Sequence, residues 1–213
     1  HRIGVSGLSL GGLTTLLLAY HPQLRDPRVR AAVALAPAAC YLAADFYRTA
    51  RPPLLLVNGD QDAITPLDTN ATRVFGLSRS PRQLLTLAGA THTAFSGLIT
   101  GPPTANYDTA IGCPVVEQLT QADVDAAVAA FGAAGANLVD STGCALPCTG
   151  PAPTGATMAA TRQHDLTRAA VTAFFESTLR RSRAARCFLG RGLAAENADV
   201  ASALAPRRRL KGP

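Results

Sequence analysis

The chain has no tryptophan and a single methionine, and only 5% of its residues are aromatic. Charge is sparse too, at 16%, while apolar residues make up 47%. That balance excludes intrinsic disorder and describes a globular protein. Long hydrophobic runs are missing. The longest, such as Leu16 to Ala19 and Leu54 to Val57, are far too short to span a bilayer. No secretory leader pattern is visible, and the chain opens at His1, almost directly in an apolar stretch. It reads as a piece of a longer protein. Nucleic-acid binding would call for basic residues interleaved with aromatics on a folded face. Here Arg207, Arg208, Arg209 and Lys211 supply four of the six net positive charges. They form a basic tail after Pro206, so no nucleic-acid partner is expected.

What is present begins with length. The 213 residues suffice for one domain with a sizeable core. Five cysteines occur, at positions 40, 113, 144, 148 and 187. Cys113, Cys144 and Cys148 share one Gly/Pro/Ala-rich region, which favours disulfides and an exported, secreted or periplasmic protein. The odd number leaves one thiol over. A zinc site from Cys113, Cys144, Cys148 and His164 is the competing reading, but the Cys-x-x-x-Cys spacing with a distant histidine is a poor finger pattern, and no metal is expected.

The most informative stretch runs from Arg2 to Tyr20. A short apolar strand enters a glycine-rich corner, and a long apolar helix leaves it. The corner reads Gly7-Leu8-Ser9-Leu10-Gly11. A serine at the tip of a tight strand-to-helix turn is held in a strained backbone with its hydroxyl exposed, and tiny residues must flank it. Gly7 and Gly11 meet that demand, and Gly12 adds room. The Leu10 N–H lies at the helix N-terminus, where an oxyanion would develop. The bland alternative is a glycine-rich turn that merely lets a helix pack on a strand. His21-Pro22 stops the helix, and His21 is read as part of that stop.

Further strands follow: Val29 to Ala36, Pro53 to Val57 and Arg82 to Leu87. The first is a near-continuous apolar run between turn signals, as in a parallel strand buried on both faces. Tyr41, Phe46 and Tyr47 in the first connector either line a substrate site or cover the sheet. The third strand leads into Asn58-Gly59-Asp60-Gln61-Asp62, the fourth into Ala88-Gly89-Ala90-Thr91-His92. An acid and a histidine thus stand at successive strand ends after the serine.

The order Ser9, Asp62, His92, each just beyond a strand, resembles the α/β-hydrolase family. The likeness covers about residues 2–95 and 161–190. It implies that Ser9 is the nucleophile of a nucleophile elbow, that His92 is its general base, and that Asp62, in a Gly-x-x-Asp turn, orients the imidazole. Asp60 is the rival acid. Leu8 departs from the pattern, since many members carry histidine before the nucleophile. The implied activity is hydrolysis of a small-molecule or lipid-like carboxylic ester through an acyl-enzyme, with no cofactor. The nearest likeness is to dienelactone-hydrolase-like, acetylhydrolase-like and cutinase- or lipase-like esterases. A peptidase or amidase on the same triad, and a non-catalytic homologue used for binding, stay open.

The implied fold is the C-terminal half of an α/β-hydrolase: a mostly parallel sheet flanked by helices, in a partial domain over residues 1–190. An insertion over about residues 97–160 follows the histidine loop, and residues 191–213 form a tail. The first half of the fold, with the loop that supplies the second oxyanion donor, is absent from this sequence. The chain alone is therefore expected to be inactive or insoluble. Within the insertion, Thr120 and Asp123 form a capping box, and Val124, Val128 and Phe131 share a helix face. It is either a lid over the site or a surface decoration. A closing helix is expected over Thr161 to Arg181.

Overall fold

The structure is a computed structural model that describes residues 2–48, 52–101, 105–132, 137–144, 146–151 and 153–205. Five strands form one sheet in chain order: β1 (Ile3–Leu8), β2 (Val29–Leu35), β3 (Leu54–Gly59), β4 (Arg82–Leu87) and β5 (Val200–Ala205). The first four are parallel, with Leu8 opposite Leu35, Leu35 opposite Val57, and Gly59 opposite Leu87. Helix α1 (Leu10–Tyr20) crosses from β1 to β2. A wide turn at Asp68–Thr72 leads into α2 (Arg73–Leu77), which joins β3 to β4.

Side chains alternate across a strand, so each strand feeds two cores. Ala32, Ala34, Leu54, Leu56 and Leu84 pack on one face with Leu13, Leu16 and Tyr20 of α1. Ala31, Val33, Leu55, Val57, Leu85 and Leu87 pack on the other. There they meet Leu166, Ala170 and Phe174 of a long helix, Ala160–Thr178. The continuous apolar runs follow from this two-sided burial. Tyr41, Phe46 and Tyr47 are buried in the first core, so they cover the sheet. His21 ends α1: its Nδ1 accepts the N–H groups of Gln23 at 3.1 Å and Leu24 at 3.0 Å. Burial lowers its pKa and keeps the ring neutral.

The insertion holds a second wide turn, Asp108–Gly112, then α3 (Cys113–Val116) and α4 (Gln121–Gly132). The Thr120 N–H donates to Asp123 Oδ2 at 2.9 Å, and the Asp123 N–H to Thr120 Oγ1 at 3.3 Å, so the capping box forms. The side chains of Val124, Val128 and Phe131 lie outside the described residues, as do Arg207, Arg208, Arg209 and Lys211. The helix Ala160–Thr178 is α5. Cys40 bonds Cys144, and Cys113 bonds Cys148, leaving the exposed Cys187 free. Four of the thiols are consumed in these bonds, and His164 turns to the Ser96 carbonyl at 3.1 Å, so the zinc reading fails. Two disulfides are consistent with an extracellular or otherwise oxidising compartment. No described helix is long and apolar enough to cross a membrane.

One boundary needs correction. The reading of residues 191–213 as a tail ended the domain too early. After α6 (Arg183–Cys187), α7 (Leu193–Glu196) buries Leu193. Strand β5 then returns antiparallel along β4, with Val200 opposite Leu87 and Ala205 opposite Arg82. Residues 201–204 of β5 are exposed, so the alanine-rich strand carries little apolar pattern by which to recognise it.

Candidate active site

Ser9, Asp62 and His92 all stand at the C-terminal edge of the parallel sheet. Ser9 follows β1, Asp62 follows β3 and His92 follows β4. Crossovers bring successive loops to that same edge, where open α/β sheets bind ligands.

Ser9 joins β1 to α1 with φ 58° and ψ −119°, a conformation L-residues rarely adopt. Its N–H donates to Leu35 O at 2.9 Å, and its carbonyl accepts from Leu13 N at 3.0 Å and Ala38 N at 3.3 Å. Those bonds over-determine the strained residue. The turn is tight enough that a Cβ on Gly7 would lie 2.2 Å from the Gly11 carbonyl oxygen. Gly12 is crowded as well, with its Cβ position 3.0 Å from Pro37 Cα. A Cβ on Gly11, by contrast, would meet nothing within 4 Å. The steric demand expected of Gly7 and Gly11 thus falls on Gly7 and Gly12. Leu10 opens α1, so its N–H is among those a helix leaves without an internal partner.

The acid and the histidine meet directly. His92 Nδ1 lies 3.0 Å from Asp62 Oδ2, and both side chains are buried. Asp62 Oδ1 accepts the N–H groups of Ile64 at 3.0 Å and Thr65 at 2.6 Å. Its Oδ2 accepts from Thr65 Oγ1 at 2.9 Å and from Asn58 Nδ2 at 3.3 Å. Burial pushes the Asp62 carboxyl up, and the His92 hydrogen bond works against that push. So many donors on two oxygens suit a carboxylate, not a carboxylic acid. For His92, burial pulls the pKa down. The hydrogen bond and charge of Asp62, with the charge of Asp108, outweigh it, and the net direction is upward. The carboxylate keeps the ring proton on Nδ1, which leaves Nε2 as the basic nitrogen. Among the described residues no hydrogen bond joins Ser9 Oγ to that ring. Catalytic hydrogen bonds are often long before substrate arrives.

Asp60 serves a different purpose, since its Oδ1 accepts the Gly89 N–H at 2.7 Å. That bond ties the acid turn to the histidine loop. Gly59 allows the same close approach: a Cβ there would lie 1.9 Å from the Ala90 carbonyl oxygen.

Three contributors escape a sequence reading. Thr65 Oγ1 lies 2.9 Å from His92 Nδ1 and donates to either Asp62 Oδ2 or Ala36 O, so it supports the pair from the side. Its signal is local, because Asp-x-x-Thr forms a turn that caps its own carboxylate. Asn58 is fully buried at the end of an apolar strand, a polar residue where none is needed for packing. Gln163 of α5 clamps the histidine loop, with its Oε1 3.2 Å from Thr91 N and its Nε2 2.8 Å from Thr91 O.

A groove of about 470 Å³ lies at the opposite edge of the sheet, lined by Pro53, Pro81, Phe174 and Arg186 among others. It starts where β3 and β4 begin, so it is remote from His92. The candidate site therefore rests on side-chain geometry. A scan against protein-family models and a search of curated proteins found no match to this chain.

Proposed function

We propose that this chain carries the reacting groups of a serine hydrolase that cleaves carboxylic esters, on the C-terminal half of an α/β-hydrolase fold. The observation that carries the reading is the buried His92–Asp62 pair, 3.0 Å between Nδ1 and Oδ2, at the ends of the strands two and three places beyond that of a serine locked at positive φ.

In this reading Ser9 Oγ attacks the ester carbonyl while His92 Nε2 takes its proton. Asp62 holds the Nδ1 tautomer and stabilises the imidazolium. The Leu10 N–H faces the oxyanion, a donor worth about 3–4 kcal/mol in comparable sites. The protonated histidine then gives its proton to the leaving alcohol. Water, activated by the same nitrogen, releases the acid from Ser9. The chemistry consumes only ester and water and needs no cofactor. The two disulfides support a secreted or periplasmic setting for it.

A fluorophosphonate probe followed by intact-mass measurement, on the protein at its natural length, tests the assignment. One adduct on Ser9, lost in Ser9→Ala together with hydrolysis of a p-nitrophenyl ester, is the expected result. Ester hydrolysis at the unaltered rate in Ser9→Ala would refute it.

A further inference from the structure

Two carboxylates are buried among the described residues, Asp62 and Asp108. The chemistry above uses the first. Asp108 is completely shielded from solvent, yet it belongs to the insertion, where no catalytic part was expected. Its partners are three backbone amides. Oδ2 accepts the N–H groups of Ala63 at 3.0 Å and His92 at 2.9 Å, and Oδ1 accepts the N–H of Thr93 at 2.6 Å. Ala63 directly follows Asp62. A single carboxylate therefore grips the acid turn with one hand and the histidine loop with the other.

The surroundings hold Asp108 in that place. Asn106 Oδ1 accepts the Asp108 N–H at 2.9 Å, while Asn106 Nδ2 donates to Gln61 O at 3.1 Å. Gly112 sits so close to the histidine loop that its Cβ would lie 2.2 Å from Thr93 Oγ1. The next residue, Cys113, is bonded to Cys148, and the Cys148 N–H donates to Ala63 O at 2.8 Å. Both backbone groups of Ala63 are thus bound by the insertion, the N–H by Asp108 and the carbonyl by Cys148.

We infer that Asp108 is a positioning residue, resting on the serine-hydrolase reading: it sets the acid turn against the histidine loop so that Asp62 and His92 meet, and it places a second negative charge behind the imidazolium formed in each turnover. The charge matters as well as the shape. Three N–H groups converge on two oxygens, and an amide in the same place would turn an NH₂ toward at least one of them. The groups that bear on His92 are few. Asp62 and Asp108 supply the charge, Asp60 is occupied with Gly89, and α5 offers neutral Gln163 to Thr91 and His164 to Ser96.

Asp108→Asn tests this in the purified protein. The His92 ring titration, followed by NMR, moves to lower pH, and the acid limb of kcat/KM moves with it. The kcat falls by about ten- to a hundredfold, as for a small misplacement of reacting groups, while KM stays within about twofold. A purely structural role would leave the titration where it was, and that result overturns the inference. If Asp108→Asn does not fold, amide hydrogen exchange in the unaltered protein decides. Ala63, His92 and Thr93 amides protected together support the clamp, and free exchange at any of the three overturns it. Absence of ester hydrolysis from the unaltered protein at its natural length would instead count against the serine-hydrolase reading, because the ring titration reads the clamp without any turnover.

Discussion

Replacing Ser9 by glycine is expected to stabilise the protein while abolishing the proposed ester hydrolysis. Ser9 stands at φ 58° and ψ −119°, where a Cβ is unwelcome. Strain of this kind costs about 1–3 kcal/mol. Glycine relieves it but adds backbone freedom to the unfolded chain, a loss of about 0.4–1 kcal/mol. The three backbone hydrogen bonds of residue 9 need no side chain and survive the change. The net gain is about 1 kcal/mol, which for a chain of this size raises Tm by roughly 2–4 °C. Ser9→Ala is the necessary companion. It removes the hydroxyl but keeps the Cβ and hence the strain, so its stability stays within about 0.5 kcal/mol of the parent. Urea unfolding of the three proteins, monitored by circular dichroism, gives the ranking. Ser9→Gly above Ser9→Ala is the expected order. Ser9→Gly at or below Ser9→Ala would show that the corner stores no strain and would refute the reading of Ser9 as a strained residue.

Three other predictions concern pH and covalent structure. His92 is raised above its ordinary value of 6.5 in the folded state, so its contribution to stability is complete below that value and fades as pH rises through the folded pKa. The proposed hydrolysis requires the neutral ring, so its kcat/KM is expected to climb over the same interval, above pH 6.5. Asp62→Asn should remove the charge that raises the ring and shift the acid limb downward, as a pH–rate profile would show. Removing the Cys40–Cys144 bond, which closes a span of 104 residues, should cost roughly 4–5 kcal/mol on chain-entropy grounds. A Cys40→Ser/Cys144→Ser double variant that unfolds at the parent's urea midpoint would contradict that.

Much of the sheet was legible because two-sided burial writes itself as unbroken apolar runs. Strand β4 has the predicted limits, β2 ends one residue earlier than predicted, and β3 starts one residue later and ends two residues later. The closing helix α5 was legible from its 3.6-residue apolar stripe. The strand β5 was not, because Val-Ala-Ser-Ala-Leu-Ala lies on an exposed edge and is shaped by its partner β4 more than by its own composition. At the candidate site, Asp62 and His92 were readable from glycine-rich turns at strand ends. Asp108 was not. Nothing beside it in sequence separates it from any other loop aspartate, and its meaning arises only when Ala63 and His92 fold onto it. The cysteine pairing shows the same limit. Sequence proximity groups Cys113, Cys144 and Cys148 as the disulfide cysteines, whereas the fold brings in distant Cys40 as the partner of Cys144 and bonds Cys113 to Cys148.

The Cys40–Cys144 bond has a further consequence for the polypeptide as a covalent object. Asp62, His92 and Asp108 all lie between its two ends. A proteolytic cut at any peptide bond within that span, the insertion's first half included, yields two fragments that stay joined through sulfur. Such a nicked molecule would run as one band on a non-reducing gel and as two after reduction. The loop that carries Asp62 and His92 can be opened without being released, so chain continuity there is dispensable in a way that continuity around Ser9 is not.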